Sequence, residues 1–191
     1  MSRRLAHPRP LTDREQVAVR NRRSRRRINK RTRLSHAHPR KTRTLIIGIG
    51  HDHRHDDALG LVAARRLRAR KLPGVTILEA TGEGAALMKL WQNAHTVILL
   101  DAVQSGAAPG TLHRLDARKQ PVRIRFFPCS THAFGVAEAV ELSRALGQLP
   151  PRLIILGLEA RWFTQGDGLS PEVRRAIPVL LNTVTRELKS P

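Results

Sequence analysis

From Thr44 to the C-terminus, short runs of Leu, Ile and Val alternate with segments whose apolar residues recur every three to four positions. That rhythm belongs to strands buried on both faces and joined by helices that cover them. The runs at 44–48, 75–79, 95–100 and 153–158 are the expected strands, and Gly48 and Gly50 punctuate the end of the first. Helices are expected at 57–70, where Leu59, Val62, Ala63 and Leu67 share a face, at 84–91, and at 133–146. Pro73-Gly74 stops the first of these, and Gly147 followed by Pro150-Pro151 stops the third. Residues 111–115 and 122–126 read as further strands, either of them suited to a sheet edge. A last helix opens at Ser170-Pro171-Glu172, a hydroxyl cap followed by proline at the first helical position. Val173, Ala176, Ile177, Leu180, Leu181 and Val184 share its inner face, and Pro178, which has no N–H to donate, is expected to kink or break it. The expected architecture is a three-layer α/β/α sandwich with a mainly parallel sheet.

Charge divides the chain at the same place. Of the 35 Lys and Arg residues, 16 fall in residues 1–43, where Asp13 and Glu15 are the only acids. This arm holds no Phe, Trp or Tyr and few aliphatic residues, so burial cannot offset the entropy of ordering it. A disordered basic arm over 1–43 and an α/β domain over 44–191 are the expected units. The arm is suited to salt-dependent, non-specific polyanion contact. Without an aromatic on which a base can stack, it is poorly suited to sequence-selective RNA binding. A single cysteine excludes a disulfide framework and a multi-cysteine zinc site. No apolar run reaches the roughly 18 residues that span a bilayer. The opening Met1-Ser2-Arg3-Arg4-Leu5-Ala6-His7-Pro8 lacks the apolar stretch of a secretory signal, so a cytoplasmic location is expected.

In open α/β sheets ligands bind beyond the carboxyl ends of the strands, which singles out polar residues just after strands. Asp56-Asp57 follow the first strand, Asp101 ends the third, and His132 precedes the helix expected at 133–146. Asp57 and His132 both sit at expected helix starts, where the dipole favours an ionised carboxylate and a neutral imidazole. Two carboxylates and one imidazole form a donor set compatible with Ni, Zn or Mn. Each also has a plainer use: Asp57 as a helix cap, Asp101 as an acceptor for a loop amide, His132 as a donor to a buried carbonyl. Gly48-Ile49-Gly50 fails as a dinucleotide-binding loop, because position 53 is histidine where the third glycine belongs. Cys129 and His132, three residues apart, are the pair that a nucleophilic hydrolase would use, although a lone cysteine is more often a small apolar filler.

Several ordered blocks resemble the hydrogenase maturation proteases, endopeptidases that process nickel–iron hydrogenase large subunits. Leu45-Ile46-Ile47-Gly48-Ile49-Gly50 with Asp56-Asp57-Ala58-Leu59-Gly60 resembles the family's opening. Ile98-Leu99-Leu100-Asp101-Ala102-Val103, with Pro109-Gly110-Thr111 downstream, is similar to its second block, and Ser130-Thr131-His132-Ala133-Phe134-Gly135-Val136 to its third. Ile154-Ile155-Leu156-Gly157-Leu158 and Gly168-Leu169-Ser170-Pro171 are similar to its late strand and C-terminal signature, so the likeness spans about residues 44–188.

The resemblance implies a peptidase that reads nickel already installed in the large-subunit precursor and then removes a C-terminal peptide. It also implies that Asp57, Asp101 and His132 meet the nickel supplied by that precursor and serve the hydrolysis, an activity often classed as aspartic-type. Two departures stand out. The family usually carries asparagine after the second glycine, where this chain has His51, the first of three alternating histidines with His53 and His55. Glu79-Ala80-Thr81-Gly82 replaces the usual acidic-Gly-Gly-Thr loop, a region associated in that family with the choice of hydrogenase. The competing expectation is a non-catalytic protein that binds metal or nucleic acid through the sheet edge and the basic arm.

Overall fold

In a computed structural model of the chain, residues 43–123 and 134–190 are described. Expectations for the basic arm, for Cys129 and for His132 therefore lie outside the described residues, as does most of the strand expected at 122–126. Val122 and Arg123, its first two residues, carry no regular structure.

The described strands are β1 (Thr44–Ile49), β2 (Val75–Ala80), β3 (Thr96–Val103), β4 (Leu112–Asp116) and β5 (Arg152–Glu159). They form one sheet in the order β2-β1-β3-β5-β4. All pairings are parallel except that of β4 with β5, which is antiparallel with Leu115 opposite Ile155. The helices are α1 (Leu59–Ala69), α2 (Gly84–Trp91), α3 (Val136–Ala145) and α4 (Pro171–Lys189), with a 3-10 turn at His55–Ala58 leading into α1.

Alternation along the strands sorts the two cores. Leu45, Ile47 and Ile49 of β1, with Val97 and Leu99 of β3, face Leu87 and Trp91 of α2 and Val136 and Val140 of α3. Ile46, Ile98, Leu100, Ile154 and Leu156 point the other way, toward Leu59, Ala63 and Leu67 of α1 and Val173, Ile177, Leu180 and Val184 of α4. This is the expected three-layer sandwich.

Pro178 does not break its helix: α4 runs through it as one 19-residue element. The apolar stripe of α4 stays buried against the sheet while Pro178 lies on the exposed face, beside exposed Arg174. The carbonyl that proline cannot serve, that of Arg174, is thus on the side where water can reach it.

Candidate active site

Strand order reverses at the β1/β3 junction, because β2 lies on one side of β1 while β3 and β5 lie on the other. Such a reversal parts the connecting segments and opens a crevice at the carboxyl edge of the sheet. The segment after β1 and the last residues of β3 both end there.

Two close approaches shape the segment after β1. Gly50 has φ +143°, and a Cβ on it would lie 1.8 Å from the Asp57 carbonyl oxygen, so only glycine lets the chain fold back and place Asp57 over the end of β1. A Cβ on Gly60 would meet the carbonyl oxygens of Ile49 and Leu100 at 2.2 and 2.3 Å, which seats the start of α1 directly on β1 and β3.

Asp56 and Asp57 are both buried in the 3-10 turn but do different work. Asp56 is fully buried: its Oδ1 accepts from the Ser170 amide at 2.7 Å and its Oδ2 from the Arg161 amide at 2.9 Å. It therefore ties the β5–α4 loop to the turn after β1. Asp57 does not cap a helix, since the N-cap of α1 is Ala58 with no side-chain bond. Its Oδ2 instead lies 3.1 Å from His51 Nδ1, and its Oδ1 has no protein partner among the described residues.

Asp101, 6% exposed, sits near the end of β3 with its Oδ1 accepting from the Ala102 amide at 2.8 Å. The plainer use foreseen for it, holding a nearby amide, is thus real for one oxygen and leaves the other without a partner among the described residues. Burial first, and the negative charge of Asp57 second, push its carboxyl well above the usual carboxylate range, with the Ala102 N–H pulling the other way. Asp57 and Asp101 therefore sit close enough to feel one another, and neither is matched by a lysine or arginine among the described residues. His132 is outside those residues. The chain is described again from Phe134, whose carbonyl accepts from Gly84 N at 2.9 Å. Val136 packs in the same core as Ile49, and both lie near the position a Cβ on Gly82 would take. The start of α3 thus lies at the same carboxyl edge.

Among the described residues no group of three or more His, Cys, Asp or Glu side chains is arranged to hold a metal by itself. The other two loop histidines face a different element: His53 Nδ1 is 2.6 Å from Asp167 Oδ1, and His55 Nδ1 is 3.3 Å from the Gly168 carbonyl while its ring packs edge-on against Trp162.

A family model for hydrogenase maturation proteases matches residues 62–187, which include Asp101 and His132 and begin just beyond Asp57. The chain belongs to the hydrogenase maturation protease family. The hydrogenase 2 maturation protease of Escherichia coli is 29% identical over 150 residues, covering 77% of this chain and 91% of that protein. The hydrogenase expression/formation protein HupD of Rhizobium leguminosarum bv. viciae is 28% identical over 155 residues, covering 80% and 77%. Among solved structures, the hydrogenase maturating endopeptidase HybD from Escherichia coli superposes with a TM-score of 0.65 at 26% identity, covering 77% of this chain and 92% of that one. The [NiFe] hydrogenase maturation protease HycI from Thermococcus kodakarensis KOD1 does so with a TM-score of 0.59 at 26% identity, covering 78% and 94%.

In this maturation protease the strand-end rule also selects a residue that sequence reasoning passed over. Glu159, 2% exposed at the end of β5, accepts from the amides of Ser105 and Gly106 at 2.8 and 2.9 Å and from the Ser105 hydroxyl at 2.8 Å. It lies 3.0 Å from His113 Nε2 as well. An acid closing an otherwise apolar run was the available signal; here it fixes the loop that follows Asp101's strand.

Proposed function

We propose that this maturation protease removes a C-terminal peptide from the precursor of a nickel–iron hydrogenase large subunit, and does so after recognising nickel in that precursor. The observation that carries the reading is the buried Asp57–Asp101 pair at the β1/β3 switch point. Both carboxyls lie where an α/β sheet receives ligands, each offers an oxygen with no protein partner among the described residues, and no cationic side chain balances them. Two carboxylates held together against burial and mutual repulsion fit a site that meets a divalent cation.

In this reading the nickel is part of the substrate. Asp57 and Asp101, with His132 as the nitrogen donor, grip the metal that the precursor brings and so orient the scissile peptide. The metal's chemistry is to polarise a carbonyl or a water. Asp57 or Asp101 takes the proton from the attacking water, which is the sense in which an aspartic-type label fits. The enzyme's own donor set is completed only in the complex, so a nickel-free precursor is a poor substrate.

Purified full-length protein, incubated with nickel-loaded and nickel-free large-subunit precursor and followed by intact mass, tests this. Loss of a C-terminal peptide from the nickel-loaded form alone is expected. Equal shortening of both forms would overturn nickel recognition, and shortening of neither would overturn the proposed substrate. No helix among the described residues is long and apolar enough to cross a membrane.

A further inference from the structure

His51 stands at a junction that the proposed chemistry has not used. Its Nδ1 lies 3.1 Å from Asp57 Oδ2, and its ring is 30% exposed while the Asp57 side chain is only 8% exposed. A carboxylate can only accept, which assigns the proton of this bond to Nδ1. His51 also lines a cavity of about 320 Å³ along the ends of β1 and β2, with Arg65, Glu79 and Thr81.

The backbone on either side of His51 is anchored. Gly50 N donates to the Ala80 carbonyl at 3.1 Å, and both Asp52 oxygens accept from the Arg65 guanidinium at 2.9 and 2.8 Å. Arg65 also donates to Glu79 at 3.0 Å, so the loop after β1 is braced against both α1 and β2. A side chain between two fixed neighbours, bonded to one oxygen of a buried acid, has the geometry that sets a ligand's orientation in advance.

We propose that His51 is a positioning residue: its Nδ1–H holds one oxygen of Asp57 and thereby presents the other to the metal carried by the substrate. The inference rests on the proposed role of Asp57 and goes beyond it by assigning the loop histidine. It requires a donor nitrogen bonded to Cγ and does not require an imidazole. Asparagine supplies such a nitrogen and cannot act as a base. His53 and His55, which bond to Asp167 and to the Gly168 carbonyl, have no part in it.

The test compares full-length wild-type protein with His51→Ala, His51→Asn and Asp57→Ala. Two quantities are read: kcat and KM for precursor shortening, and the calorimetric affinity for Ni²⁺ alone at the site that Asp57→Ala abolishes. His51→Ala is expected to lower kcat/KM and Ni²⁺ affinity by roughly 10–100-fold, with His51→Asn returning both to within about threefold of wild type. Thermal melts of both variants should match wild type, since His51 is half-exposed.

A normal His51→Ala enzyme would overturn the assignment. So would a His51→Asn enzyme as impaired as the alanine variant, because that result would require the imidazole itself. If Asp57→Ala shortens the precursor and binds Ni²⁺ like wild type, the reading of the whole site fails. If Asp57→Ala is inactive while His51→Ala is normal, only the role of His51 falls.

Discussion

Asp56 and Asp57 are adjacent, alike in chemistry and both buried, yet they should respond to substitution in opposite ways. Asp56→Ala removes the acceptor of two backbone N–H bonds, at 2.7 Å from Ser170 and 2.9 Å from Arg161. Hydrogen bonds to a charged group contribute about 1.5–3 kcal/mol each. Ser170 is 2% exposed, so its amide has no easy route to water, whereas Arg161 is exposed and its amide recovers part of its loss. A net cost of about 3–5 kcal/mol follows, a large share of the 5–15 kcal/mol of a typical domain. The matching fall in melting temperature is roughly 6–20 °C. Asp57→Ala gives up one bond to a half-exposed histidine and relieves repulsion with Asp101, so its stability should stay within about 1 kcal/mol of wild type while precursor shortening disappears. Chemical denaturation read by circular dichroism, beside the mass assay, measures both. An Asp56→Ala loss below about 1 kcal/mol, or an Asp57→Ala loss as large as that of Asp56→Ala, would refute the division of labour.

Asp101→Asn keeps the acceptor for the Ala102 amide and removes a carboxyl whose charge is opposed by burial and by Asp57. Denaturation at pH 7 should show it at least as stable as wild type although inactive, and a clear loss of stability would contradict the described surroundings of Asp101. Gly50→Ala, at φ +143° and 1.8 Å from the Asp57 carbonyl, should cost more than about 3 kcal/mol and abolish shortening, as thermal melts and the mass assay would show. Glu187 bonds to Arg114 and Arg152, which hold its carboxyl below the usual range, with Arg114 contributing most. Its contribution is therefore complete above the ordinary glutamate value of about 4.3 and fades as pH falls through the lowered one. The stability gap between wild type and Glu187→Gln should be constant from pH 7 to about 5 and close below about pH 4, and a gap unchanged down to pH 3 would contradict the linkage.

The layers of this fold were legible because β1, β3 and β5 are apolar on both faces and each helix carries one apolar stripe. β1 and β5 could be placed within one residue at each end on that signal, β3 within three at its C-terminal end, and α2 to the residue. The helix does not break at Pro178, because its missing N–H falls on the exposed face, which local propensity does not report. The entry to α1 was also misread, since the 3-10 turn at His55–Ala58 is created by the tight approach of Asp57 to Gly50, a contact invisible along the chain. The rule that ligands gather at strand ends pointed to Asp57 and Asp101, which lie close enough to interact, yet it could not tell them from Asp56 and Glu159. All four are buried acids at the carboxyl edge; what separates them is whether protein groups occupy both oxygens, amides alone at Asp56 and amides with a hydroxyl and His113 at Glu159, which depends on loops far away in sequence. His51 escaped assignment for the same reason: its partner is fixed by the fold of the loop after β1 and not by the spacing of the three histidines.

The claim on which the chemistry depends is that Asp57 and Asp101 share one divalent ion. Crystals of the full-length protein soaked in Ni²⁺ and measured at the nickel edge test it directly. An anomalous peak about 2.0–2.2 Å from an oxygen of each acid is the expected result. Peaks confined to the surface histidines His53 and His55, with none between Asp57 and Asp101, would contradict it.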